Sequence, residues 1–192
     1  MRFTRPERWL GAWEPVEPGA ASAEVTRRYL AAYGPATREE FARWFGSTSP
    51  ALCERMIRAL GDAVEEVDVE GRAAWMLAAD VEEALAAEPA GVVRLLPGFD
   101  HYVVAAPRDR EAVLAEARRV RVYRPQGWIS PVLLVKGRMA GVWRHERKGK
   151  RLLVGVEPFA PVPKWARTAA EAEAERLAGF LGGSLELTWD RG

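Results

Sequence analysis

Val64-Glu65-Glu66-Val67-Asp68-Val69, then Glu70-Gly71, then Arg72-Ala73-Ala74-Trp75-Met76-Leu77 reads as strand, tight turn and strand. Three helical stretches precede it. Ser22 is placed to cap the first, putting Val25, Tyr29 and Tyr33 on one face before Gly34 stops it. Thr37 with Glu40 forms a capping box that opens a short helix with Phe41, Trp44 and Phe45 inward. Ser49-Pro50 starts the third, where proline's missing N–H costs nothing. Its inner face is Leu52, Met56, Ile57 and Leu60, and Gly61 ends it. Three helices followed by a β-hairpin is the order of a winged helix, with the third helix offered to a groove and the hairpin as the wing.

The flanks set the domain limits. Residues 1–21, with Pro15, Pro18 and Gly19 among scattered apolar residues, read as an extended lead-in. A brief helix over Asp80–Ala87 runs into Glu88-Pro89-Ala90-Gly91, so the winged helix occupies 22–90 and a second domain occupies 91–192. In that domain Val92–Leu96 is a strand, broken by Pro97-Gly98 and resumed at Tyr102–Ala105, and a helix runs from Asp109 to about Arg118. Ile129–Val135 and Arg138–Arg144 flank a Lys136-Gly137 turn, and a second turn at Arg147–Lys150 leads to Leu152–Val156. A capping box of Thr168 and Glu171 opens a helix that Gly182-Gly183 ends, and Leu185–Trp189 closes the chain as a strand. The fold class is therefore α+β: a winged helix followed by a small antiparallel β-barrel-like domain with flanking helices.

At 192 residues, 48% apolar and 29% charged, the composition is that of a globular protein and excludes disorder. No apolar run approaches the roughly 18 residues of a membrane span, and the opening Met-Arg-Phe-Thr-Arg-Pro is not a secretory signal. Cys53 is the only cysteine, which leaves no internal disulfide and no cysteine-based zinc cage; a cytoplasmic location follows. Phosphate loops of the G-x-x-x-x-G-K-[ST] and G-x-G-x-x-G types are absent, as is G-x-S-x-G, so no cofactor is implied.

Charge is segregated. From Arg118 to Arg151 eleven basic residues face one acidic residue, Glu146, so a chain of net charge +1 carries +10 in this stretch and −9 elsewhere. Segregation of this kind is the footprint of an anionic partner. Arg119, Arg121, Arg124, Lys136, Arg138, Arg144, His145, Arg147, Lys148, Lys150 and Arg151 are the candidate nucleic-acid-binding residues, the densest run being the tip Arg144–Arg151. Such a hairpin can lie along a groove and replace counterions on phosphates, with Trp128 and Trp143 near enough to stack on bases or to serve as core. Arg55 and Arg58 are the groove-facing cations of the third helix, while Glu65, Glu66, Asp68 and Glu70 on the wing repel phosphate. A structural or dimerising role for the winged helix, with a second copy as partner, stands beside groove reading. No catalytic set emerges. His101 and His145 are the only histidines, and Asp100 beside His101 suits a turn-holding role as well as a functional pair.

Several stretches together resemble the AlkZ/YcaQ-type winged-helix family. They are Arg27-Arg28-Tyr29-Leu30-Ala31-Ala32-Tyr33-Gly34-Pro35-Ala36-Thr37 with Phe41-Ala42-Arg43-Trp44, and Leu95-Leu96-Pro97-Gly98-Phe99-Asp100 with Tyr102 and Arg108-Asp109-Arg110. Val132–Trp143 with its Gly137 turn, Val156-Glu157-Pro158-Phe159 and the closing Phe180-Leu181-Gly182 extend the likeness along nearly the whole chain. The resemblance implies tandem winged helices and a β-barrel built to grip double-stranded DNA, in DNA glycosylases that excise alkylated or crosslinked bases. It also implies that residue 1 falls where the family's second winged helix begins. The family's glutamine-centred Q-x-Q or Q-x-D/E catalytic pattern would precede it. Gln126, in Gln126-Gly127-Trp128, is the only glutamine here and does not match, so no catalytic residue carries over.

Overall fold

The computed structural model describes residues 3–12, 14–46, 48–88, 90–106 and 110–190. They form two units, Met1–Ala87 and Glu88–Gly192. Pro89 of the expected domain break, and Arg108 and Asp109 at the expected start of a helix, lie outside the described residues.

The first unit orders α1 (Glu7–Leu10), α2 (Pro18–Tyr33), α3 (Arg38–Trp44), α4 (Pro50–Arg58), β1 (Val64–Val69), β2 (Arg72–Leu77) and α5 (Val81–Ala86). The expected extended lead-in is thus partly helical. Helix α2 starts four residues before Ser22 because Glu17 accepts a hydrogen bond from the Ala20 N–H at 2.8 Å and Pro18 occupies the first turn. The Thr37 box forms in both directions, with Glu40 N to Thr37 Oγ1 at 3.2 Å and Thr37 N to Glu40 Oε2 at 2.7 Å. Tyr29, Leu30, Phe41, Cys53, Met56 and Ile57 make the core. Trp44 and Phe45, expected inside, are about two-fifths exposed, and Leu52 also faces outward while Cys53 takes its inner place. The helix α3 is only seven residues long, so its last turn reaches the rim of the core. Strands β1 and β2 pair from Val64↔Leu77 to Val69↔Arg72, and Glu70 and Gly71 both adopt positive φ in the turn between them.

The second unit is one five-stranded sheet ordered β3 (Val93–Leu96), β4 (Val132–Val135), β5 (Arg138–Lys148), β6 (Arg151–Pro158), β7 (Ser184–Trp189), with α6 (His101–Ala105), α7 (Arg119–Val122) and α8 (Lys164–Leu181). The barrel expected from sequence is not closed: β3 and β7 stand at opposite edges. Nor is the sheet wholly antiparallel. Helix α8 carries the chain back along the sheet, so β7 pairs with β6 in parallel, from Arg151↔Ser184 to Val156↔Trp189. Tyr102–Ala105, expected as strand, is the helix α6, because the Asp100 carboxylate caps the Tyr102 N–H at 2.8 Å. Beyond Asp109 the described residues form turns over Arg110–Leu114 and a 3₁₀ turn over Glu116–Arg118 instead of the expected helix. Thr168 lies inside α8, which starts at Lys164 after Pro163.

Each face of the sheet has its own core. On one, Val93, Leu133, Trp143, Leu152, Val154 and Val156 pack against Ala166, Ala170, Ala174 and Ala178 of α8. On the other, Val132, Leu134 and Met139 meet Val103, Leu114, Val122 and Ile129. A bulge at Ala140 shifts the register between Leu133↔Gly141 and Leu134↔Met139, and this lets β5 serve both cores. At Gly141 a β-carbon would sit 2.6 Å from the Glu157 carbonyl oxygen and 2.8 Å from Pro158 Cα. Gly141→Ala is therefore expected to destabilise the fold by about 1–3 kcal/mol, and Thr37→Ala by about 1 kcal/mol. Chemical denaturation of the two variants measures both; an unchanged midpoint for Gly141→Ala would contradict the β5–β6 geometry.

Candidate nucleic-acid interface

Strand β5 outruns its neighbour. Its pairing with β4 ends at Val132↔Val142, whereas its pairing with β6 continues to Lys148↔Arg151. Trp143 N–H still donates to the Pro131 carbonyl at 3.1 Å, but from Arg144 onward β5 pairs with β6 alone, and a two-residue turn at Gly149-Lys150 returns the chain into β6. Every residue from Arg144 to Arg151 is exposed. Charge on an uncovered edge blocks pairing with other strands, and the same projection places cations where a polyanion can reach them.

The predicted cations do not form one unbroken patch. Arg144 lies flat over Gly155, its Cζ only 3.0 Å from where a Gly155 β-carbon would be, and reaches Asp190 at 2.7 Å. Arg151 pairs with Glu186 at 3.1 Å, and Lys148 approaches Glu146 at 3.4 Å. Arg147 donates to the Gly149 carbonyl in its own turn at 3.2 Å. Lys150 has no ion pair among the described residues. The His145 ring stacks on Trp143, centroids 5.4 Å apart.

Beside the strand, Arg121 holds Glu157 through two hydrogen bonds of 2.7 Å each, while Arg124 has no ion pair among the described residues. Arg119 pairs with Glu116 at 3.2 Å. Lys136 and Arg138 belong to the β4–β5 turn instead, at the opposite end of the sheet strand from the hairpin tip, where Lys136 sits 5.5 Å from the Trp165 ring. Trp143 is core: it is 6% exposed and donates its indole N–H to the Leu96 carbonyl at 2.7 Å. Trp128 is mostly exposed and meets Phe99 edge to face. Asp100 and His101 form a helix start, with Asp100 spent on the cap.

In the first unit, Arg55 is exposed, but Arg58 is engaged twice, by Glu54 at 2.9 Å and by the Trp75 ring at 4.8 Å. Glu54 also receives Arg38 at 2.6 Å, so two guanidinium groups close on one carboxylate. Among the described residues no group of three or more His, Cys, Asp or Glu could hold a metal ion, and no helix is long and apolar enough to cross a membrane. Sequence reading missed Glu157, Glu186 and Asp190 as partners of the basic residues, because the sheet register alone brings them there.

Residues 1–180 match the model of the AlkZ-like family, described as DNA glycosylase AlkZ-like. The chain belongs to the AlkZ-like DNA glycosylase family. It is 41% identical over 186 residues to an interstrand DNA cross-link repair glycosylase of Streptomyces sahachiroi, which takes in 95% of this chain and 49% of that protein. The solved structure of Streptomyces sahachiroi DNA glycosylase AlkZ superposes with a TM-score of 0.80 at 38% identity, covering 96% of this chain and 51% of that one. The chain thus spans about half the length of the AlkZ proteins it matches.

In this AlkZ-like chain the Glu54 cluster has a pH signature. Hydrogen bonds from Arg38 and then Arg58 hold the Glu54 carboxyl below its usual range. A lowered folded-state pKa gives stability that is present above the ordinary carboxylate range and lost as pH falls through the lowered value. Thermal melts should therefore place wild type above Glu54→Gln at neutral pH, with the gap narrowing below about pH 4. A gap that holds constant through pH 3 would contradict the assignment.

Proposed function

We propose that these residues are a DNA-gripping part of an AlkZ-like glycosylase function, the second unit holding duplex DNA through the β5–β6 hairpin. One observation carries this reading: a family of DNA glycosylases contains, in this chain, a projecting ribbon with six cationic or chargeable side chains between Arg144 and Arg151. Arg and Lys on phosphates release condensed counterions, and that term sets both affinity and its salt dependence. Phosphate contacts position a protein without reading sequence, so the hairpin supplies grip and orientation. Cross-linked DNA, named for the Streptomyces sahachiroi relative, is the first damaged substrate to offer.

We read the first unit as a winged helix whose α4 carries little groove-reading charge. Glu54 holds Arg58 and Arg38, and Glu65, Glu66, Asp68 and Glu70 make the β1–β2 hairpin acidic. That acidity favours a supporting role for this unit, including packing against another protein or a second copy. Base excision also needs polar groups that position water. Gln126 is exposed in a turn beside Gly127 and offers no such pair.

A salt titration of binding to a fluorescent duplex tests the reading. Wild type should show a steep negative slope, and Arg147→Ala/Lys148→Ala/Lys150→Ala should flatten it by about two to three. An unchanged slope, or no binding at low salt, removes the hairpin from the interface.

A further inference from the structure

A cleft of about 590 Å³ opens where β5 outruns β4. Arg121, Arg124, Arg144 and His145 are among its lining residues, beside Val120, Pro131, Val142 and Trp143. Two of these guanidinium groups already have carboxylate partners. Glu157, at the cleft wall, accepts from Arg121 Nη2 with both oxygens, and Asp190, at the end of β7 and outside the cleft lining, takes Arg144 across Gly155. Three guanidinium groups stand against two carboxylates, and Arg124 is the one with no ion pair among the described residues.

The geometry points to a phosphate site in this cleft, where a nucleic-acid phosphate takes Arg121 and Arg144 from Glu157 and Asp190 and adds Arg124. The inference rests on the DNA reading above and specifies one contact within it. Both Glu157 oxygens accept from the single Arg121 Nη2 at 2.7 Å, and a pair of phosphate oxygens can take the same place on that nitrogen. The exchange is a substitution of one anion for another on guanidinium groups that are already oriented. Both resident pairs are partly solvated, with Arg121 and Glu157 side chains 41% and 25% exposed and Arg144 and Asp190 67% and 35%. Pairs in that setting are weak and readily traded. The apolar wall keeps water from one side, which strengthens a charged bond formed there, and Arg124 supplies the charge that the carboxylates leave unmatched. Gly155 belongs to the device: any side chain there would press on Arg144, whose guanidinium must lie flat to reach either partner.

The chain has two histidines, so the ring proton signals of His145 can be followed individually with His101 as internal control. The experiment titrates the full chain with thymidine 5′-monophosphate, with thymidine and with a short duplex, at constant pH and salt. The nucleotide and the duplex should move the His145 signals saturably, thymidine should not, and His101 should stay put. Glu157→Gln and Asp190→Asn should tighten nucleotide binding by about two- to fivefold, the worth of a weak surface pair. Glu171→Gln, an equal change of charge on an exposed face of α8, should leave it unchanged. Arg124→Ala, which breaks no ion pair among the described residues, should weaken it. Movement with the nucleotide but not with the duplex would overturn the nucleic-acid assignment. Equal responses to thymidine and its monophosphate, or Glu157→Gln no tighter than Glu171→Gln, would overturn the phosphate site. If the duplex still binds with a steep salt slope in that case, the cleft falls and the hairpin reading stands; loss of both removes both.

Discussion

Four alanines one helical turn apart, Ala166, Ala170, Ala174 and Ala178, form the buried side of α8, and the second unit is organised around them. Small side chains at every fourth position let a helix settle closely on a sheet, where Leu152, Val154 and Val156 fill the space that remains. The helix then returns the chain to the start of β6, and β7 must run parallel to it. That one crossover decides the electrostatics around the β5–β6 hairpin. It brings Glu186 and Asp190 alongside Arg151 and Arg144, which an antiparallel return would have placed in the opposite order.

The basic stretch shows what a linear count of charge can and cannot say. Within Arg118–Arg151 a single acid, Glu146, opposes eleven bases. In three dimensions Glu157, Glu186 and Asp190 join it from beyond the stretch, and Glu116 joins it from just before. Several cations are thus held by carboxylates in the free protein. Lys150 and Arg124, along with Arg147 on its own turn, keep charge that no carboxylate claims among the described residues. The charge left uncompensated in this stretch is smaller than +10 suggests.

Elements written in local chemistry were legible from sequence. The Thr37 box, the Pro50 start, the Glu70-Gly71 and Lys136-Gly137 turns and the Gly182 stop all depend on residues within four positions of one another. What escaped depended on distant groups or on competition between caps. Glu17 with Pro18 outcompeted Ser22, Pro163 came before Thr168, and Asp100 turned an apolar strand-like run into a helix. The open sheet escaped because a parallel edge pairing leaves no mark on either strand's own alternation. At the candidate site the cations themselves were visible, whereas their grouping was not: Lys136 and Arg138 sit at one turn, the tip at another, and Trp143 is sealed by Leu96.

The two hairpins of the chain have opposite charge, and the proposed DNA contact falls on the basic β5–β6 hairpin alone. Hydrogen–deuterium exchange with and without a saturating duplex tests that division most directly. Slowed exchange concentrated in Arg144–Arg151, with Val64–Leu77 unaffected, is expected if the β5–β6 hairpin holds the duplex. Protection over Val64–Leu77 or Pro50–Arg58, with Arg144–Arg151 exchanging as freely as in the unbound protein, would contradict it.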